Sequence, residues 1–183
     1  HPIKEIKPMI YAFFELKSRV PNARPHVMGD TDDEAYRIEC VNLIEQLQVK
    51  DLTLVGNTDV TQYMKRLDFT ILTSISEGQP LAALEPLAAR RPCVTTDVGC
   101  CRELLEGGEG DNLGRAGLWE PPMHAKVFAG AMELLCTRED LRREMGAVGQ
   151  QRVLTYYRHE DMVANYLENY EEVFRIWRVS ATN

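Results

Sequence analysis

Long apolar runs are missing from this 183-residue chain. None approaches the ~20 residues that span a bilayer, so no transmembrane helix is expected. Nor does any C-x-x-C pair occur among the five cysteines (Cys40, Cys93, Cys100, Cys101 and Cys136), and no Cys/His group has zinc spacing. An odd count without a framework points to reduced thiols. The adjacent Cys100 and Cys101 are open to a redox-pair reading, but the plainer one is two small residues near a loop. Positive charge is scarce: 21 Lys and Arg stand against 28 Asp and Glu, a net charge of -7. That excludes a general phosphate-backbone binder, and no nucleic-acid partner is expected, although a small basic pocket for one anion remains compatible. Nothing at His1–Lys4 has the pattern of a signal peptide, and no internal repeat, low-complexity tract or flexible linker occurs. Hydrophobic residues at 44% are in the ordinary globular range. A chain of this length buries roughly 70% of its unfolded surface, so one domain with one core needs neither disulfides nor a metal.

What is present is an alternation. Ile6, Ile10, Phe13, Phe14 and Leu16 recur near helical spacing, and Pro21 and Pro25 bracket the loop that follows. His26–Gly29, Leu52–Gly56, Phe69–Thr73 and Pro92–Thr96 read as short buried strands, with Leu118–Trp119 a weaker fifth. Asp30–Asp33 supplies N-cap chemistry and first-turn acids for a helix to about Gln48. A short polar helix over Val60–Arg66 and another over Pro80–Ala89 separate the next strands. The tail is helical over Ala125–Cys136, Glu139–Thr155 and Glu160–Trp177. In the last of these, Tyr166, Tyr170, Phe174 and Trp177 form an aromatic stripe, expected to pack in the core; the other reading is a seat for a further domain.

Short apolar strands alternating with helices indicate an α/β fold with a Rossmann-like parallel sheet covered by helices on both faces. Right-handed crossovers bring the carboxyl ends of the strands to one edge, where open α/β sheets bind ligands. The loops on that edge are Gly29–Asp33, Gly56–Asp59, Thr73–Gln79 and Thr96–Cys101. An α/β domain ordinarily opens on a strand, and none precedes the first helix, so the chain reads as a fragment cut just after its first strand or between domains.

The segment richest in chemistry is Ser74-Ile75-Ser76-Glu77-Gly78-Gln79-Pro80-Leu81, followed by Glu85. A strand, a glycine-bearing loop and a helix start, in that order, make an anion site of free N–H groups and a positive dipole end. Proline suits the first helical position, where its missing N–H has no intrahelical partner to lose. Glu77 and Glu85 are suited to accept hydrogen bonds from sugar hydroxyls. The plainer reading is an acid complementing the dipole and a partly exposed helix acid. A glycosidase pair is a third, whose carboxyl separation a sequence does not set.

The run continues Leu87-Ala88-Ala89-Arg90-Arg91-Pro92-Cys93-Val94-Thr95-Thr96-Asp97-Val98-Gly99-Cys100-Cys101-Arg102-Glu103-Leu104. This resembles the donor-binding, C-terminal half of the retaining GT-B enzymes of glycosyltransferase family 4. Their pattern is E-G-x-x-x-x-x-x-E, a small-residue helix, a P-V-V-A-T strand and a glycine turn. Asp111-Asn112-Leu113-Gly114-Arg115-Ala116-Gly117, Met145–Val153 and Tyr156-Tyr157 are similar to the branch containing the Pel exopolysaccharide glycosyltransferase.

The resemblance implies that Lys4 grips the donor diphosphate beside an arginine that would precede His1, and that Glu77 binds donor-sugar hydroxyls. It implies a role for Glu85 on the ribose, and for the backbone around Gly78, Gln79, Pro80 and Leu81 facing sugar and diphosphate. Val55, Gly56 and Asn57 are implied near the base, with Gly29 and Asp30 on the same edge. Taken alone, Lys4 reads more plainly as a solvated lysine at a helix start; the rest of the pattern is what favours the diphosphate role. The implied reaction moves a sugar from a nucleotide diphosphate, UDP-glucose or similar, to a polysaccharide or other hydroxyl, with anomeric configuration kept. No cofactor and no metal is implied; Asp30-Thr31-Asp32 has D-x-D spacing but reads as a helix start. Implied partners are the nucleotide sugar, an N-terminal acceptor domain outside this chain and polysaccharide-synthesis machinery at the membrane, in the cytoplasm. The chain departs from the pattern at Gln79 and Pro80, where an aromatic and a glycine are usual, at Pro86, which can kink a helix, and at Arg90, where glycine is usual. Two other readings stay open. One is a non-catalytic α/β regulatory or nucleotide-binding module, which as a receiver would use Asp30, Asp32 and Asp33 but lacks a lysine on the last strand; the other, an interaction scaffold, would bind no ligand through Glu77.

Overall fold

The structure, a computed structural model, describes residues 2–181. A 3-10 turn over Pro2–Lys4 leads into α1 (Ile6–Lys17), then β1 (His26–Met28), α2 (Glu34–Gln46), β2 (Thr53–Gly56) and α3 (Val60–Met64). The chain continues through β3 (Thr70–Leu72), α4 (Leu81–Ala88), β4 (Cys93–Thr96), α5 (Cys101–Glu106) and β5 (Gly117–Glu120). It closes with α6 (Ala125–Thr137), α7 (Glu139–Tyr156) and α8 (His159–Ala181). Every strand pairing is parallel, as expected, but the strands form two sheets rather than one: β1-β2 and β3-β4-β5. Between β1 and β3 lies a hollow of 1010 Å³.

Alternation along β4 places Val94 in one apolar cluster and Cys93 in another. The first cluster holds Phe13 and Leu16 of α1 with Phe128, Met132 and Leu135 of α6. The second holds Leu84 and Leu87 of α4 with Leu104 and Leu105 of α5. A smaller third cluster, Ile10, Tyr36 and Cys40, fixes α2 against α1. Helix α1 thus touches both halves of the molecule. All five cysteines are free thiols, and burial pushes those of Cys93 and Cys101 up to about 12 and about 11.

Four further expectations are corrected. The loop read over Thr96–Cys101 ends sooner: Cys100 and Cys101, near a loop as expected, cap and open α5, six residues too short and too charged for periodicity to reveal. Pro80 is the N-cap of α4, with extended ψ 116, and Leu81 is its first residue. Helix α2 stops at Gln46, and Gln48 turns to φ 50. The aromatic stripe of α8 is not core: Tyr166, Tyr170, Phe174 and Trp177 are all more than half exposed. At the two other unusual positions the chain adapts locally. Helix α4 runs through Pro86 to Ala88. Arg90 takes φ 59, its Nε donating to Gln150 Oε1 at 2.7 Å, while Gln150 Nε2 donates to the Ala88 carbonyl.

Candidate functional site

Each parallel strand delivers its following loop to the same edge. At the end of β3 the chain turns through Thr73 and Ser74 into the Glu77 loop, and Pro80 caps the start of α4. The 3-10 turn at Pro2–Lys4 lies against this loop, because Ile75 N–H donates to the Ile3 carbonyl at 3.0 Å. Thr73 Oγ1 lies within hydrogen-bond distance of the Lys4 and Glu5 carbonyls, at 3.1 and 2.8 Å. That pins the backbone from which Lys4 projects.

Lys4 Nζ donates to Glu77 Oε1 at 2.5 Å, joining residues 73 positions apart. Ser74 Oγ donates to the same oxygen at 2.6 Å. The Glu77 side chain is only 9% exposed and that of Lys4 is 43%, so the acid is the fixed member and the amine the movable one. The neighbouring loop packs on the glutamate from behind. Cys100 N–H donates to the Gly78 carbonyl at 3.2 Å, and Gly99 sits at φ 55. A Cβ on Gly99 would lie 2.0 Å from the Glu77 carbonyl oxygen, so only glycine allows this approach.

Lys4 and Glu85 line the hollow between the sheets, together with Gly29, Asp30, Val55, Gly56 and Asn57. Gly78, Gln79, Pro80 and Leu81 do not line it; Gly78, Gln79 and Leu81 are exposed and Pro80 is buried. Glu77 also stands outside the lining and joins the hollow through Lys4. Two of the three acids of the receiver-type reading are engaged in local turns. Asp33 caps α2 by accepting from Tyr36 N–H at 2.9 Å, and Asp30 accepts from Thr31 N–H at 2.8 Å. Among the described residues no three His, Cys, Asp or Glu side chains form a group suited to a metal, and no helix is long and apolar enough to cross a membrane.

This constellation carries a family signature: the sequence profile of "Glycosyl transferases group 1" matches residues 1–152. The chain belongs to that family. The group 1 assignment agrees with a relative, N-acetyl-alpha-D-glucosaminyl L-malate synthase of Bacillus anthracis, 27% identical over 175 residues. The alignment covers 94% of this chain and 43% of that enzyme, so the chain spans less than half the length of its relative. Among solved structures, sucrose-phosphate synthase from Thermosynechococcus elongatus superposes at a TM-score of 0.83 with 21% identity, over 96% of this chain and 44% of that one. Anabaena HepE, solved in complex with UDP-glucose, superposes at 0.69 with 21% identity, over 84% of this chain and 41% of that one. The group 1 domain described here therefore has the Rossmann-like α/β fold of GT-B C-terminal domains.

Sequence reasoning overlooked the hydroxyls of this group 1 domain. Thr73, Ser74 and Thr96 are 5%, 0% and 2% exposed at the ends of β3 and β4. Small polar residues closing otherwise apolar strands are the signal, since buried hydroxyls require partners. The partners themselves are set by loops distant in sequence.

Proposed function

We propose that this chain is the donor-binding half of a retaining glycosyltransferase of family 4, in the branch that resembles the Pel enzyme. The whole protein transfers a sugar from UDP-glucose, or a similar uridine diphosphate sugar, to a growing polysaccharide or another hydroxyl. The observation that carries the reading is the Lys4–Glu77 pair at the carboxyl edge of the strands, beside the start of an α-helix. Negative charge grows on the departing diphosphate during transfer. Lys4 and the free N–H groups opening α4 are positive groups set in place before the reaction, which is where preorganised electrostatics lowers a barrier. Glu77 and Glu85 accept hydroxyls of the sugar and the ribose, each charged bond worth about 1.5–3 kcal/mol. Gly78, Gln79, Pro80 and Leu81 face the sugar and diphosphate, while Val55, Gly56, Asn57, Gly29 and Asp30 surround the base and ribose side.

In this reading no metal takes part. A further strand, supplied by polypeptide preceding His1, fills the gap between β1 and β3, and an N-terminal acceptor domain seats on the aromatic face of α8. Support for both comes from the open trough and from the exposure of that face. The protein works in the cytoplasm with polysaccharide-synthesis machinery, and the 183-residue chain alone transfers nothing.

Calorimetry of the full-length protein with UDP and UDP-glucose tests the site. Glu77→Ala is expected to abolish the advantage of the sugar-bearing ligand, Glu85→Ala to weaken both ligands, and EDTA to change neither. Equal binding by wild type and both variants, or loss of binding in EDTA, would overturn the reading.

A further inference from the structure

Glu77 has two carboxylate oxygens, and the protein treats them differently. Oε1 receives both Lys4 and Ser74, whereas Oε2 has no hydrogen-bond partner among the described residues. The two donors to Oε1 are also unlike. The Lys4 amine ends a flexible four-carbon stem and is 43% exposed on its side chain, so it is free to exchange partners. Ser74 is 0% exposed and too short to reach elsewhere. Its own backbone is held as well: Thr96 Oγ1, at the end of β4, donates to the Ser74 carbonyl at 2.5 Å. A continuous chain thus runs from strand β4 through Thr96 and Ser74 to one oxygen of Glu77.

The geometry points to Ser74 as the positioning residue of Glu77: by anchoring Oε1 it keeps Oε2 turned to the ligand, including when Lys4 leaves Oε1 for a phosphate. The inference rests on the reading of Glu77 as the acid that binds the donor sugar. A bond from a buried hydroxyl to a carboxylate is short and strong, and water has no access to replace it. Without it the carboxylate rotates about its terminal torsion, which is broad and weakly restrained. An acid that samples several orientations pays for ordering at each binding event.

The test is a double-mutant cycle in the full-length protein, titrating UDP and UDP-glucose into wild type, Ser74→Ala, Glu77→Gln and the double variant. Ser74→Ala is expected to weaken UDP-glucose about tenfold and UDP less than about twofold. The double variant is expected to bind no more weakly than Glu77→Gln alone, because Ser74 acts only through the acid. Equal losses for both ligands, or single-variant losses that multiply in the double variant, would assign Ser74 to packing and overturn the inference. If Ser74→Ala does not fold, Ser74→Cys keeps the volume with a weaker donor, and the same ratio is read from it. Wild type binding UDP-glucose no better than UDP, or a Glu77→Gln variant that leaves this ratio unchanged, would instead overturn the donor reading itself.

Discussion

The two sheets of this domain are built to different standards. In β3-β4-β5 the central strand is buried along its whole length, and clusters from α1 and α6 on one face and α4 and α5 on the other close over it. In β1-β2 the strands are half-buried or exposed, Leu54 is 48% exposed, and the Ile10, Tyr36 and Cys40 cluster joins α1 to α2 without taking in a residue of either strand. The contrast follows from the gap between β1 and β3. A strand is stabilised by neighbours on both edges and both faces, and β1 has an open edge toward the hollow. The halves also differ in polar anchoring. Among the described residues, only the three-stranded half holds a buried ion pair, Arg152 with Asp111 at 2.6 Å, whose guanidinium also donates to the Leu105 and Gly114 carbonyls.

Four experiments break or sharpen this contrast. The largest effect is expected from Arg152→Leu, which leaves Asp111 buried without its partner. A loss of about 3–5 kcal/mol is expected, read from chemical denaturation, with hydrogen-exchange protection falling in β3-β4-β5 first. Next come matched truncations on the two sides. Leu104, fully buried, is expected to cost about 2–5 kcal/mol as Leu104→Ala, whereas Leu54→Ala on exposed β2 is expected to cost less than about 1 kcal/mol. Equal costs would remove the distinction between the halves.

Two glycines give a smaller comparison. Gly99→Ala collides with the Glu77 carbonyl, whereas a Cβ on Gly29, at φ 101, meets nothing within 4 Å and suffers backbone strain alone. Thermal melts are expected to show Gly99→Ala as the more destabilised by about 1–3 kcal/mol. The smallest effect concerns pH. The Arg152 guanidinium holds the Asp111 carboxyl below its ordinary value, so its contribution is present above the ordinary carboxylate range and lost as pH falls through the lowered value. The stability gap between wild type and Asp111→Asn is expected to narrow as pH drops below about 4; a gap constant from pH 7 to 3 would contradict the pairing.

Much of this molecule was legible in one dimension. Strand positions, helix types, the parallel arrangement and the Glu77–Glu85 segment follow from periodicity and turn residues, which act over a few positions. Element ends were less legible: Gly29 and Thr73 fall outside their strands, and α5 is too short for its pattern to register. The exposure of α8 contradicts its aromatic composition, because apolar spacing states which face seeks cover and not whether cover is present.

Sequence alone determined the five strands, the helices other than α5 and the opening 3-10 turn, and that Lys4, Glu77 and Glu85 are candidates for one site. Tertiary structure alone decided that the strands split into two sheets, that Lys4 meets Glu77 across 73 positions and that Ser74 and Thr96 stand behind them. Local propensity depends on neighbours in the chain, whereas pairing, burial and the choice of a hydroxyl's partner depend on which distant segments the core brings together.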